Sequence, residues 1–457
     1  IMFNSHFLLV SGLVHAQAVV IQRSNQKSTP VGIVAGTVML DEAEMSGHAP
    51  LLIDAFYDHA KPVAHVILNM KSIQFDSNIG ISKQALRAWG LETGWTCEWT
   101  SPATRLAESV SVLRGYTNVD VDARHWPKAT VEANFRDTST RPSPHWAMVI
   151  SCPTMSALSG SSSARLNLKG TYKGFLAYNR SGIPVSASRF VKRDSDFVLC
   201  TMVDREPHTH AKYLQPWAQY HLAAGFTQLL VYVEEEDTSW VEDALRGFIR
   251  KDQVSIVPFY FGKISGQKKF LTQGAMENHC LYQARGMAKW IAHIDVDEYV
   301  DFMRPNVNML NYRLPELNSK DVAVVLRNVF WGIMPESHRV DVPYPCHLNG
   351  RSEYVHPVGR RSKVIMRPEH IDALFPHFVI RQDGYTEVHP DATTELRLNH
   401  FKWCDTSGEG CFGTNQSRTN MAVGHTVKEL GPNHKRKQLI TDDSDWHGRC
   451  SNLLAVK

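Results

Sequence analysis

Between residues 197 and 294 the chain alternates apolar runs with helical segments, and this alternation restricts the fold more than any other feature. Residues 197–203 (FVLCTMV) can be buried on both faces, as a strand of a parallel sheet is. The spacing then predicts a helix. Pro216 suits a first helical position, where its missing N–H costs nothing. Trp217, Tyr220, His221 and Ala224 share one face, and Gly225 can close the helix. A second strand, Gln228–Val233, follows at once. An amphipathic helix over Trp240–Arg250, a strand over Val254–Phe259, a helix over Thr272–Gly286 and a strand over Ala288–Ile294 complete the series. The order β-α-β-α-β-α-β predicts an α/β, Rossmann-like, mostly parallel sheet with helices on both faces. Ligands of such sheets bind at the carboxyl ends of the strands.

The last strand of the series ends in Asp295-Val296-Asp297-Glu298. Three carboxylates at the end of a buried strand repel one another and lose hydration, so something cationic has to compensate. A divalent metal carrying a diphosphate is the economical answer, and hard oxygen ligands suit Mn²⁺ or Mg²⁺. Alternation along an extended chain puts Asp295 and Asp297 on one side and turns Val296 into the core.

The rest of the 457-residue chain reads more simply. Residues 1–21 carry the uncharged apolar run FLLVSGLVHAQAVVI and an Ala-x-Ala, which suit a signal peptide or a short signal anchor. Residues 22–44 read as a polar stem. Residues 45–195 read as a mostly β domain, with short apolar runs at 51–53, 64–69 and 147–152, a weaker one at 185–190, and a loop at 156–163. The α/β domain occupies 196–405, and 406–457 form a C-terminal tail. A net charge of +3 gives no reason to expect a nucleic-acid partner. Eight cysteines without a CxxC pair leave a structural zinc site no basis, and their even number permits disulfides. At least one is expected, with Cys97–Cys152 inside the β domain. Sequons at Asn179 and Asn415 agree with a secretory route.

The stretch from Phe197 to Phe302 resembles glycosyltransferase family 92. The matching pieces are LCTMVDRE, YLQPWAQYHLAAGFTQLLVYV and ENHCLYQARGMAKWIAHIDVDEYV, and the likeness continues through RRSKVIMRPEH and PHFV to LRLNHFKW. It covers roughly residues 197–403 in order. One departure stands out. After the second strand the family has Asp-Asn with a Ser/Asp pair, where this chain has Val233-Glu234-Glu235-Glu236-Asp237.

The resemblance implies a GT-A-like fold and transfer of a hexose, galactose from UDP-galactose, to a glycan acceptor with inversion. It implies a place in the Golgi, as a type II membrane protein or in the lumen. It also implies roles. Asp295 would bond the donor ribose or lie near the metal, Asp297 would ligate the metal, and His400 would be a late metal ligand. Thr201, Met202 and Val203 would line the nucleotide base, beside Glu234. Lys363 and Arg367 would balance the diphosphate, and His377 would line the pocket. Gln273 and Asn278 are weaker candidates on the preceding helix. Inversion needs a carboxylate base, for which Glu336 and Asp341 are candidates. Two other readings stay open: a two-metal hydrolase using His293-x-Asp295-x-Asp297, and a glycan-binding protein that kept the fold without activity.

Overall fold

The computed structural model describes residues 51–58, 61–69, 93–100, 109–111, 115–116, 147–154, 165–173, 175–187, 190–203, 207–260, 273–304, 306–312, 314, 317–332, 346, 350–355, 358, 361–401, 440–442 and 444–455. The first eight strands are β1 (Leu51–Tyr57), β2 (Val63–Asn69), β3 (Gly94–Thr100), β4 (Ser109–Ser111), β5 (Gly115–Tyr116), β6 (Ala147–Pro153), β7 (Arg165–Tyr172) and β8 (Phe175–Pro184). They make two four-stranded antiparallel sheets, ordered β1-β2-β6-β5 and β4-β3-β7-β8. Val66, Leu68 and Ile150 of one sheet share a core with Trp99, Leu166 and Leu168 of the other. The Cys97–Cys152 disulfide joins β3 to β6.

The three stronger apolar runs are β1, β2 and β6. Among the described residues of 185–190 there is no strand, only a bridge from Ser186 to Phe56. Pro184, which has no N–H for a ladder, ends the strand just before it. The hairpin β7–β8 occupies that part of the sheet, with Leu166, Leu168 and Tyr172 alternating inward. The loop expected at 156–163 lies outside the described residues.

The α/β series follows as β9 (Ser195–Val203), α1 (Pro207–Ala223), β10 (Gln228–Val233), α2 (Ser239–Arg250), β11 (Val254–Pro258), α3 (Gln273–Ala284) and β12 (Ala288–His293). Then come β13 (Glu298–Phe302), β14 (Asp321–Leu326), β15 (Asn328–Gly332), β16 (Gly350–Val355), β17 (Lys363–Met366), β18 (Ile371–Phe375), β19 (Phe378–Arg381), β20 (Thr386–Val388), β21 (Leu396–Phe401), β22 (Ile440–Asp442) and α4 (Ser444–Ala455). The central sheet has the order β11-β10-β9-β12-β17-β14-β20.

Its first half is parallel, as the alternation requires. The sheet as a whole is mixed, because β17 runs antiparallel to both β12 and β14. A parallel neighbour needs a long crossover, usually helical, and the described residues between β12 and β22 contain no α-helix. Helices cover both faces. Leu214, Trp217, Val241 and Leu245 of α1 and α2 pack on one side, and Met276, Cys280 and Leu281 of α3 on the other. The Cys200–Cys280 disulfide fastens α3 to β9.

Helix α1 begins at Pro207, nine residues before the expected start, and Pro216 lies inside it. An interior proline loses one helical hydrogen bond and costs about 3 kcal/mol. Complete burial of Leu214, Trp217 and Ala218 outweighs that cost, since burying each large side chain contributes about 1.5–3 kcal/mol. Gly225 closes the helix in the left-handed region (φ 101°), with Met309 against its Cα.

A second sheet, β13-β21-β15-β16-β22, shares a hydrophobic core with the central sheet. Helix α4, within what the sequence divides off as a tail, is bolted to it. Trp446 packs against Trp331 and Phe401, Arg449 pairs with the buried Asp301, and Cys450 is bonded to Cys346. The N-terminal sheets join α3 through the polar chain Asp54–His279–Tyr232; the chain Asp58–His65–Ser151 ties β1, β2 and β6 together, and its His65 ring packs on Tyr282 of α3. Among the described residues no helix is long and apolar enough to cross a membrane.

Candidate active site

The parallel strands β9, β10 and β12 end together, which brings Val203, Glu234 and the Asp295–Glu298 segment to one edge. The four-residue segment is a closed turn, not the extended chain that simple alternation expects. The Glu298 N–H donates to the Asp295 carbonyl at 2.9 Å, and the Asp295 N–H donates to Glu298 Oε2 at 3.1 Å. The Trp217 indole N–H reaches the Asp295 and Glu298 carbonyls at 3.1 and 3.2 Å, so α1 holds the turn from beneath. Val296 is buried in the core, as alternation expects.

From this turn a chain of charges runs through the fold. On α3, Glu277 Oε1 lies 3.0 Å from His293 Nδ1, and His293 Nε2 lies 3.4 Å from Asp295 Oδ1; both are ion-pair distances without well-aligned hydrogen bonds. The Lys363 amine, supplied by β17, donates to Asp295 Oδ2 at 2.9 Å and stands 3.5 Å from Glu298 Oε2. Glu298 Oε1 is 3.3 Å from His400 Nδ1, and His400 Nε2 is 3.1 Å from Asp297 Oδ2. Lys363 is therefore one of the cations that the clustered carboxylates require. It comes from 65 residues downstream of Glu298, where no local spacing could show it.

The environment separates these groups. Burial pushes the Lys363 amine down, but Asp295 and Glu298 outweigh it and hold the amine above its ordinary range. Burial likewise raises Asp295, and Lys363 and His293 reverse this to a net lowering, so Asp295 stays ionised. For Glu298 burial wins over Lys363, and its carboxyl is pushed up to about 7. Burial also raises Glu277, against the pull of His293.

The remaining candidates distribute unevenly. Thr201, Met202 and Val203 form the buried end of β9, and Glu234 follows β10 with its N–H donating to the Val203 carbonyl. His377 sits in the turn between β18 and β19, where Ser362 Oγ donates to its carbonyl at 2.9 Å, one residue from Lys363. Arg367 is not brought to the cluster. It follows the far end of β17, four residues or about 13 Å of strand from Lys363, with its guanidinium over the Trp290 ring. Asn278 clamps the Leu374 backbone and is structural. Gln273 donates to Glu277. Glu336 and Asp341 lie outside the described residues. Sequence reasoning did not single out Glu277, nor Glu298 as an individual residue. The only signal for Glu277 was a carboxylate on a helix with no polar face, which becomes informative once burial is known.

Asp297 and His400 fit a divalent cation. Their donor atoms converge, both side chains keep slight exposure, and the back of the imidazole is held by Glu298 and Asn328. Among the described residues no group of three or more such ligands forms a ready cage. A carboxylate and an imidazole suit an ion that completes its shell with waters and substrate phosphates, as Mg²⁺ commonly does.

The profile of glycosyltransferase family 92 matches residues 196–441, more than half of the chain, and the chain belongs to that family. Two curated relatives are plant proteins of the family. One, from Ricinus communis, is 23% identical over 224 residues, 46% of this chain and 36% of that one. The other, from Oryza sativa subsp. japonica, is 25% identical over 219 residues, 45% of this chain and 33% of that one. The matches thus span about a third of the relatives' lengths. Among solved structures, HddC from Yersinia pseudotuberculosis is similar at 13% identity and a TM-score of 0.25, over 51% of this chain and all of that one. The mannosyltransferase Ktr4p from S. cerevisiae is similar at 9% and 0.20, over 33% of this chain and 44% of that one. Likenesses this slight carry no argument.

Proposed function

We propose that this chain is a metal-dependent glycosyltransferase that moves a hexose, galactose from UDP-galactose, to a glycan acceptor with inversion. On this reading residues 196–405 are a GT-A-like catalytic domain and 45–195 a β-rich domain before it. The observation that carries the proposal is the convergence of Asp297 and His400, 103 residues apart in sequence, beside the Lys363-paired Asp295 at the carboxyl edge of a parallel half-sheet.

Asp297 and His400 would hold Mn²⁺ or Mg²⁺, which when bound would neutralise charge developing on the departing diphosphate. Lys363 fixes one oxygen of Asp295, and that carboxylate would bond the donor ribose or lie near the metal. Thr201, Met202, Val203 and Glu234 would form the nucleotide wall, with His377 at its margin. Arg367 would reach the diphosphate only by leaving the Trp290 ring. Glu336 or Asp341 would take the acceptor proton. Three disulfides among the described residues agree with an oxidising compartment, and with the apolar N-terminus they support a Golgi location, anchored or lumenal. No observation favours a hydrolase or an inactive glycan-binding protein.

A thermal-shift panel of nucleotide sugars with and without Mn²⁺, followed by transfer assays, tests the proposal. Wild-type protein should be stabilised by UDP-galactose only with the metal. Asp297→Ala should stay folded and lose both that shift and transfer. Full transfer by Asp297→Ala at saturating donor and Mn²⁺ would sink the assignment.

A further inference from the structure

We propose that Glu298 is a positioning residue that sets the proton of His400, rather than a further acidic ligand of the turn. The inference rests on the metal reading above for Asp297 and His400. Glu298 stands directly opposite His400 across the β13–β21 ladder. Its side chain is only 1% exposed, and both oxygens are engaged. Oε2 accepts the Asp295 N–H at 3.1 Å and lies 3.5 Å from the Lys363 amine. Oε1 faces His400 Nδ1 at 3.3 Å and the Asn328 amide nitrogen at 3.4 Å.

The consequence follows from imidazole chemistry. A neutral ring has one proton, and a nitrogen that ligates a metal must be the other one. If Nε2 ligates beside Asp297, the proton has to sit on Nδ1 and needs an acceptor there. Among the described residues two polar groups lie within 3.5 Å of Nδ1. The Asn328 amide nitrogen, at 3.2 Å, is a donor and cannot serve; it is also 3.1 Å from the Arg361 carbonyl, to which it can donate instead. Of the two, Glu298 Oε1, at an ion-pair distance of 3.3 Å, can accept it. Histidine ligands are commonly held this way by a carboxylate behind the ring, and loss of such a partner typically weakens metal binding roughly 10–100-fold. Through Lys363 the same carboxylate is joined to Asp295, so the two aspartates of the turn are positioned by one side chain.

The amide in Glu298→Gln cannot meet both demands. With its NH₂ toward His400 it donates to Nδ1 and drives the ring proton to Nε2. With its oxygen toward His400 it points the NH₂ at the Lys363 amine. Mn²⁺ affinity of the full chain, measured by electron paramagnetic resonance without nucleotide, should therefore be compared in wild type, Glu298→Gln, His400→Ala and the double variant. Glu298→Gln should weaken binding at least tenfold in the wild-type background and change it less than twofold once His400 is gone. Equal losses in both backgrounds would make Glu298 a ligand and overturn the inference, as would an unaltered affinity. Wild-type protein that binds no Mn²⁺, or His400→Ala that binds normally, would instead refute the metal reading. If Glu298→Gln does not fold, ¹⁵N-histidine spectra of wild-type protein loaded with diamagnetic Zn²⁺ decide. The His400 signal, identified by its absence in His400→Ala, should carry its proton on Nδ1; a proton on Nε2 overturns the inference.

Discussion

Replacing Lys363 with Met keeps most of the side-chain volume and removes the one buried ammonium between Asp295 and Glu298. At an effective dielectric constant of about 20, a contact at 2.9 Å corresponds to about 6 kcal/mol and one at 3.5 Å to about 5 kcal/mol. Taking the amine out of water cancels several kcal/mol of this. Removing one partner of a buried pair nevertheless costs about 3–5 kcal/mol, because the opposite charge is left uncompensated.

Here the loss should depend on pH, and its sign follows from Glu298. The folded-state carboxyl is held up to about 7, above its ordinary value of 4.5, so the folded protein binds more protons than the unfolded chain between those values. Stability from this group is present at low pH and declines as pH rises toward 7. Without Lys363 the carboxyl moves higher still, and the decline continues beyond 7. Urea unfolding followed by tryptophan fluorescence should show Lys363→Met destabilised by about 3 kcal/mol near pH 6 and about 5 kcal/mol near pH 8.5. Adding Glu298→Gln should recover part of the loss at the higher pH. A Lys363→Met protein within 1 kcal/mol of wild type at pH 8.5 would refute the assignment of Lys363 as the compensating cation.

Two further predictions address the frame around the site. Burial lowers His65 to about 4, in spite of Asp58, so its neutral form stabilises the fold above 6.5 and that stability is lost as pH falls toward 4. Wild type should lose about 3 kcal/mol relative to His65→Gln over this interval, and parallel urea-midpoint profiles for the two proteins would exclude it. Trp446 is fully buried against Trp331 and Phe401, the neighbour of His400. Trp446→Ala should cost about 3–5 kcal/mol and weaken Mn²⁺ binding together with stability; unchanged metal affinity in the folded variant would show that α4 does not brace the site.

The sequence by itself determined the elements whose signal is local. β9, β10, β12 and α2 declare themselves by apolar run or helical period, and β10 coincides with its expected limits, residue for residue. The carboxylates at the end of β12 were legible because a strand buried on both faces seldom ends in three acids. Cys97 and Cys152 could be paired because both lie in the region that reads as a mostly β domain. Where a residue's fate depends on distant neighbours, the sequence was silent or misleading. Pro216 reads as a helix start until the buried residues on both sides of it are known to hold the helix together. The antiparallel β17 has no local mark of direction, so the sheet reads as more parallel than it is. Asp295 and Asp297 follow a turn closed by Glu298 rather than strand alternation. Lys363 and Arg367 look alike in sequence, four residues apart on one segment. Strand direction carries Lys363 to the carboxylates and Arg367 to the opposite end. Charge compensation in a buried cluster is decided by which side chains the fold brings within a few ångströms, and only the tertiary structure fixes that.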